Sequence, residues 1–229
     1  MSRNLRTKAI ILRRTNYGEA DRILQILTPN DGKLSVMARS VRKEKSRLAN
    51  GIELFSTCDL SLVKSERNSN DIWTLTGSKV NKFFVHIMEN YDKLQFGYEA
   101  IKLVDKAAEH INEPDFFNLL TETFAALDNE NILLNIAQTW FYLQLAKLLG
   151  NELNVATDNH GMKLVEGARY DFDMNDQVFS FNENGKYDSE TIKLLRVMTS
   201  NSPDVISRIN NVNEIIGDCL HLAQIAAKV

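Results

Sequence analysis

Residues 7 to 80 alternate between apolar and polar positions in short runs that are separated by turn-forming residues. In the run 33–39, Leu34, Val36 and Ala38 alternate with positions 33, 35, 37 and 39, two of which hold cations. A period of two predicts strands that bury one face. The predicted strands are 7–14, 22–28, 33–41, 54–64 and 72–80. Five short strands without a helical pattern predict a small barrel; we expect an OB-like barrel, and the pattern alone also fits an SH3-like one.

Beyond residue 83 the apolar spacing changes to the helical period. The predicted helices are 86–111, 115–127, 132–149, 191–199, 205–209 and 214–228. The third of them is apolar on nearly every side, which is typical of the central helix of a bundle. Two short alternating runs between 169 and 181 predict a β-hairpin. The fold class is therefore α+β, with an N-terminal five-stranded OB-fold β-barrel (1–82) followed by an α-helical domain (83–229) that carries a hairpin insertion at about 153–186.

The composition is that of a soluble globular protein, with 44% hydrophobic and 25% charged residues among 229. The two cysteines lie far apart and form neither a disulfide framework nor a metal-ligand set, so a reducing cytoplasm is expected. No apolar stretch approaches the ~20 residues that span a bilayer, so no membrane partner is expected.

The charge is distributed unevenly. Residues 1–82 hold sixteen Lys and Arg against eight Asp and Glu, whereas residues 83–229 hold eleven against twenty-two. The densest cationic stretch is 39–47, and such a cluster indicates a polyanionic partner, with nucleic acid first, or else only a solvated loop. The candidate DNA-binding residues are Arg13, Arg14, Lys33, Arg39, Arg42, Lys43, Lys45 and Arg47. Because the basic region has few aromatic residues, we expect charge to dominate, so that both single- and double-stranded DNA bind.

No pattern typical of catalysis appears. The four histidines are scattered, and HExxH, CxxC, GxSxG and P-loop patterns are absent. Asp171, Asp173 and Asn175 have the spacing of a calcium loop, but that loop also needs a glycine and a glutamate that are missing, so an acidic hairpin turn is predicted. We therefore expect no enzyme activity, no metal and no cofactor.

Several motifs in order resemble the RecO family of bacterial recombination mediators and DNA repair proteins. They are TKAIILRR at 7–14, YGEADRIL at 17–24, LTP at 27–29, GKLS at 32–35, and ELF at 53–55. The resemblance implies an OB-fold followed by a helical domain. It also implies binding and annealing of DNA strands in the cytoplasm, in association with the nucleoid. Partners implied in the same way are RecR, with which the family helps RecA replace single-strand-binding protein, and the C-terminal tail of single-strand-binding protein, held by the helical domain.

The sequence departs from the family in two places. Many members carry two cysteine pairs in a zinc-ribbon-like insertion, whereas this chain has Thr157 and His160 at the first pair and lacks the second near Gly185. A zinc-free hairpin is expected, held by its aromatic residues, Tyr170, Phe172, Phe179 and Phe181. Ser40 stands where the family usually has glycine, which would alter the bend into the basic loop.

Two functional hypotheses follow. In the first, the five cations of 39–47 bind phosphates, and Arg13, Arg14 and Lys33 extend their track. In the alternative, the chain is an adaptor whose acidic helical domain binds a basic partner such as RecR, with the barrel only as a platform.

Overall fold

The computed structural model describes residues 2–65, 71–109, 114–174 and 176–228. The chain forms two compact units, Met1–Asp128 and Asn129–Val229. The first unit holds the barrel strands and also the first two α-helices. The predicted domain boundary at residue 82 lies at the change from strands to helices. Packing, however, groups the first two α-helices with the barrel. The boundary therefore stays a prediction.

The N-terminal strands form a closed barrel. They are β1 (Ser2–Tyr17), β2 (Asp21–Thr28), β3 (Gly32–Ala38), β4 (Ser56–Ser65) and β5 (Ile72–Phe83). Their order around the barrel is β1-β2-β3-β5-β4, with β3 and β5 parallel and the remaining pairs antiparallel. This order is that of the five-stranded Greek-key OB-fold, which confirms the predicted fold class.

The barrel interior is filled by side chains. One face of every strand supplies them: Ala9, Ile11, Leu24, Ile26, Val36, Ala38, Cys58, Leu60, Leu62, Trp73 and Leu75. Burial raises the pKa of the Cys58 thiol to about 12, and the neighbouring Asp59 charge adds to the shift, so the thiol stays protonated. With the interior closed, ligands have access only to the outer faces and loops of the barrel.

Helix α1 (Tyr91–Ala107) packs on β1, and α2 (Asp115–Asp128) packs on β1 and β2. Helix α1 begins at Tyr91 and not at residue 86 as predicted, because the Asn90 side chain caps it by accepting the backbone N–H of Lys93. Residues Val85–Ile87 form a 3₁₀ turn instead. The predicted helix end at residue 111 lies outside the described residues.

The second unit centres on α3 (Leu134–Leu148), which packs against the other helices of the unit as predicted. Those helices are α4 (Ser189–Ser200), α5 (Pro203–Ile206) and α6 (Val212–Ala226). The predicted hairpin is present as β6 (Arg169–Asp173) and β7 (Val178–Phe181). A third strand, β8 (Tyr187–Asp188), pairs with the other edge of β6 and is too short for a sequence pattern to reveal.

Rings and carboxylates hold the insertion together. The predicted aromatic residues touch one another, with Phe179 contacting Tyr170, Phe172 and Tyr187, and Tyr170 also contacting Phe181. The Asp158 carboxylate, 7% exposed, accepts the backbone N–H groups of His160 and Met162 at 2.9 and 2.8 Å. These contacts close the turn that contains Thr157 and His160.

A second carboxylate closes the other turn of the insertion. Asp171 accepts hydrogen bonds from the Asn182 side chain and the Lys186 backbone N–H, which together lower its pKa. In the suggested calcium loop, Asn175 lies outside the described residues. Among the residues that are described, no group of three or more possible metal ligands converges.

Candidate nucleic-acid interface

The basic loop, which we define as residues 39–47, is attached to the turn between β1 and β2. The Ser40 N–H donates to the Asp21 carboxylate at 2.7 Å, and the Arg42 N–H donates to the Ala20 carbonyl at 2.9 Å. The Arg42 guanidinium also donates to the Gly18 carbonyl at 3.2 Å. Val41 is buried in the barrel core between these contacts. The loop therefore leaves the barrel in a fixed direction.

The bend into the basic loop is left-handed. Ser40 has φ +56°, a conformation that costs a non-glycine residue about 1–2 kcal/mol. This explains why β3 ends at Ala38 and not at residue 41 as predicted. The serine thus adopts this turn at an energetic cost, and the hydrogen bond from its N–H to Asp21 offsets part of it.

Ser40→Gly is expected to raise the free energy of unfolding of the first unit by about 0.5–1 kcal/mol, since relief of the left-handed strain outweighs the backbone entropy of glycine. Urea titration in a Trp140→Phe background, followed by Trp73 fluorescence, measures the change. Ser46→Gly, in the same loop but with ordinary φ, is the control and should lose about 0.5–1 kcal/mol. Equal losses in both variants would contradict the strain at Ser40.

The five cations of the basic loop point to solvent. Arg39, Arg42, Lys43, Lys45 and Arg47 are all exposed. Within the described part of the chain, none of the five forms an ion pair with a carboxylate. The loop also holds one anion, Glu44. A row of five cations with so little neutralisation is a strong attractor for a polyanion.

The three cations predicted to extend this row occupy three different environments. Arg13 is exposed on β1, opposite Gln25 of β2. Arg14 donates to the Glu53 carboxylate at 2.7 Å and is part-buried. The Lys33 side chain is only 12% exposed, and its ammonium lies 2.5 Å from the Asp105 carboxylate of α1. Arg13 therefore lies on the open surface, whereas Arg14 and Lys33 each form an ion pair within the protein.

The outer face of β1, β2 and β3 continues from the basic loop. Strand register places Thr15, Ile23 and Met37 in one outward row, next to the Arg13 row. Ile23 and Met37 are partly exposed, although most apolar side chains of these strands are buried. Tyr17 is 55% exposed at the end of β1, beside the turn that carries the loop. These residues were not among the predicted site residues; the outward parity of Ile23 and Met37 in their strands is the sequence signal that could have revealed them.

This arrangement has two kinds of binding group. The loop cations suit phosphates, whereas a tyrosine ring and two apolar side chains suit the faces of unpaired bases. In OB-folds, the face of strands β2 and β3 is a common site for oligonucleotides. Both cysteines of the chain are buried, and desolvation raises the pKa of Cys219, like that of Cys58, to about 12. Neither thiol is therefore ionised at neutral pH.

None of the helices in the described residues has the length and apolar character needed to cross a bilayer.

Comparison with known families gives two matches in chain order. A model described as Recombination protein O N terminal matches residues 1–84, and one described as Recombination protein O C terminal matches residues 88–223.

Individual relatives agree with these models. DNA repair protein RecO of Dehalococcoides mccartyi strain CBDB1 is 38% identical over 127 residues, which are 55% of this chain and 49% of the relative. The protein of the same name from strain 195 is 34% identical over 73% of this chain and 65% of the relative. That from Salinibacter ruber is 30% identical over 74% of this chain and 68% of the relative. The chain thus spans about half the length of the first relative and about two thirds of the others.

Proposed function

We propose that this chain, which belongs to the RecO family, is a nonenzymatic mediator of DNA repair and recombination that binds single- and double-stranded DNA on its barrel. In this proposal it anneals complementary strands and, with RecR, helps RecA load onto strands coated with single-strand-binding protein. The tail of that protein would bind the helical domain, and annealing and RecA loading would take place in the cytoplasm at the nucleoid.

The observation that carries the proposal is the basic loop. Its five exposed cations would bind phosphates, and release of the counterions condensed on DNA would drive the affinity. Arg13 extends this surface along β1. We leave Arg14 and Lys33 out of the contact, because each would have to abandon an internal ion pair.

The outer face of β1, β2 and β3 supports the binding of single strands in particular. Tyr17 provides a ring on which a base can stack, and Ile23 and Met37 offer an apolar floor beside it. A strand held by its phosphates at the loop would leave most base edges free. Neutralisation of phosphate charge would then let a complementary strand approach and pair, which is annealing without a chemical step.

The salt dependence of binding tests this proposal. With five phosphates engaged, log affinity for single-stranded DNA is expected to fall against log salt with a slope of roughly −3 to −4. Changing the five loop cations to Gln should make the slope markedly shallower, leaving only the contribution of Arg13 and of cations outside the loop. A control variant changes five exposed lysines elsewhere to Gln and should keep the slope: Lys102, Lys106, Lys147, Lys163 and Lys228. Equal slopes in the loop variant and in the control would show that the loop is not the site.

Two further outcomes separate the competing hypotheses. If the loop variant keeps its DNA affinity but loses binding to RecR, the adaptor hypothesis is favoured, with the barrel serving as a platform. Cutting of labelled DNA by the pure protein with magnesium or manganese would overturn the nonenzymatic proposal. We expect the DNA to stay intact.

A further inference from the structure

A second group of cations lies on a different part of the barrel surface. The first half of β1 pairs with β4, and β4 pairs with β5. Register places Lys8, Asp59 and Lys79 in one outward row across these three strands. Arg6 lies in the next outward row, and Lys82 lies near the end of β5. We call Arg6, Lys8, Lys79 and Lys82 the second cationic face.

The four cations are available to a ligand. Each is exposed, and none forms an ion pair with any described carboxylate. Asp59 is the anion between them. The Lys82 ammonium lies 4.6 Å from the centre of the Phe84 ring, a contact that orients it without neutralising its charge.

The surface between these cations carries only small side chains. The row of Arg6 continues through Ser61 and Gly77, so no bulky side chain stands on β4 or β5 there. The Thr76 hydroxyl donates to the Ser61 carbonyl at 3.0 Å, which ties this side chain to the neighbouring strand. A phosphate backbone can therefore approach the sheet closely with cations on both sides of it.

The second cationic face is separate from the basic loop. Strand β1 changes partner at Ile10, whose outward side chain is buried, as is that of Leu27 beside it. Helix α1 packs on β1, and α2 packs on both β1 and β2, which accounts for the burial of these outward side chains. On the other side of the barrel, the row between the two surfaces carries uncharged Val63 and Thr74. A strand on the loop would not reach the second face along β1.

We propose that the second cationic face binds the phosphate backbone of a second DNA strand while the basic loop holds the first. This inference rests on the proposed function, since it assigns the second strand of the annealing reaction to a site on the same barrel. One molecule then brings two strands together, and annealing does not require two protein molecules to meet. Binding at the second face is expected to be weaker and less salt-dependent than at the loop, because fewer cations contribute and Asp59 opposes them.

The test uses two non-complementary single strands, one with a donor dye and one with an acceptor dye. The full chain should hold both, giving energy transfer at equimolar protein. Changing Arg6, Lys8, Lys79 and Lys82 to Gln should abolish the transfer, leave first-strand affinity within about twofold, and slow annealing about tenfold or more at limiting protein. Changing Lys102, Lys147, Lys163 and Lys228 to Gln is the matched control and should change neither quantity.

Asp59→Asn provides a gain-of-function arm that does not depend on a four-site variant folding well. Removing the anion should tighten second-strand binding about threefold or more. Retained energy transfer in the four-site variant, or no tightening with Asp59→Asn, overturns the inference. A wild-type chain that binds one strand only also overturns it while leaving the proposed function intact, whereas a chain that binds no DNA contradicts the proposed function itself.

Discussion

Phe55→Ala is expected to lower the free energy of unfolding of the first unit by about 3–5 kcal/mol. The ring is 1% exposed and lies between the barrel and its two helices. Its centre is 5.0 Å from that of Tyr98 in α1 and 5.6 Å from that of Phe124 in α2. Truncation removes these edge-on contacts and leaves a cavity that α1 and α2 cannot fill without moving off β1 and β2.

The surroundings of Phe55 show how little space the ring can give up. A Cβ added at Gly97 of α1 would lie 2.7 Å from a ring carbon of Phe55, so only glycine lets the helix approach this closely. Phe55 itself has φ +53°, which is rare for a bulky aromatic residue. The chain accepts this backbone conformation because it directs the ring toward α1 and α2.

Unfolding of the first unit can be followed separately, because Trp73 belongs to the barrel and Trp140 to the second unit. Urea titration of Phe55→Ala in a Trp140→Phe background, read by Trp73 emission, measures the loss. Tyr91→Ala is the control: its side chain is 73% exposed, and its loss should stay below about 0.5 kcal/mol. Similar losses in the two variants would show that Phe55 does not join barrel and helices. Phe55→Gly should be at least as stable as Phe55→Ala, because glycine has no left-handed penalty.

Local patterns in the sequence were sufficient for the fold class. Period-two alternation is visible in each strand because the barrel has one filled face, and the apolar character of α3 is visible because the other helices of its unit surround it. The start of α1 at the Asn90 cap and the end of β3 at Ser40 were not predicted, because single contacts and not a periodic pattern fix them. Strand β8 is missed for a different reason, since two residues carry no period.

The candidate site was predictable to the extent that its charges are adjacent in sequence. The basic loop is a run, so composition reveals it, whereas the state of Arg14 and Lys33 depends on acids 39 and 76 residues away. The second cationic face was missed because its four members lie on two strands far apart in the chain. Pairing of β1, β4 and β5 is what brings them onto one surface.

The insertion in the second unit holds no metal in our proposal, so contacts between its own residues must stabilise it. Gly185 lies in the turn closed by Asp171, directly against the backbone of β6. A Cβ at this position would lie 2.5 Å from the Tyr170 carbonyl carbon, 2.6 Å from its oxygen and 2.7 Å from its nitrogen. These are backbone atoms of a strand paired on both edges, with β7 and β8, so they cannot shift without breaking the sheet.

Gly185→Ala is therefore expected to cost the second unit about 3 kcal/mol, at the upper end of what overpacking costs, because the clash is with backbone and not with a movable side chain. The measurement is urea unfolding read by Trp140 emission in a Trp73→Phe background. Gly217→Ala in α6 is the matched control; no atom lies within 4 Å of its added Cβ, and helix propensity should raise stability by about 0.5–1 kcal/mol. Opposite signs for the same substitution in one unit would establish that close backbone approach at Gly185 holds the insertion. A Gly185→Ala variant as stable as the parent would contradict it and leave the aromatic contacts of Phe179 as the main source of its stability.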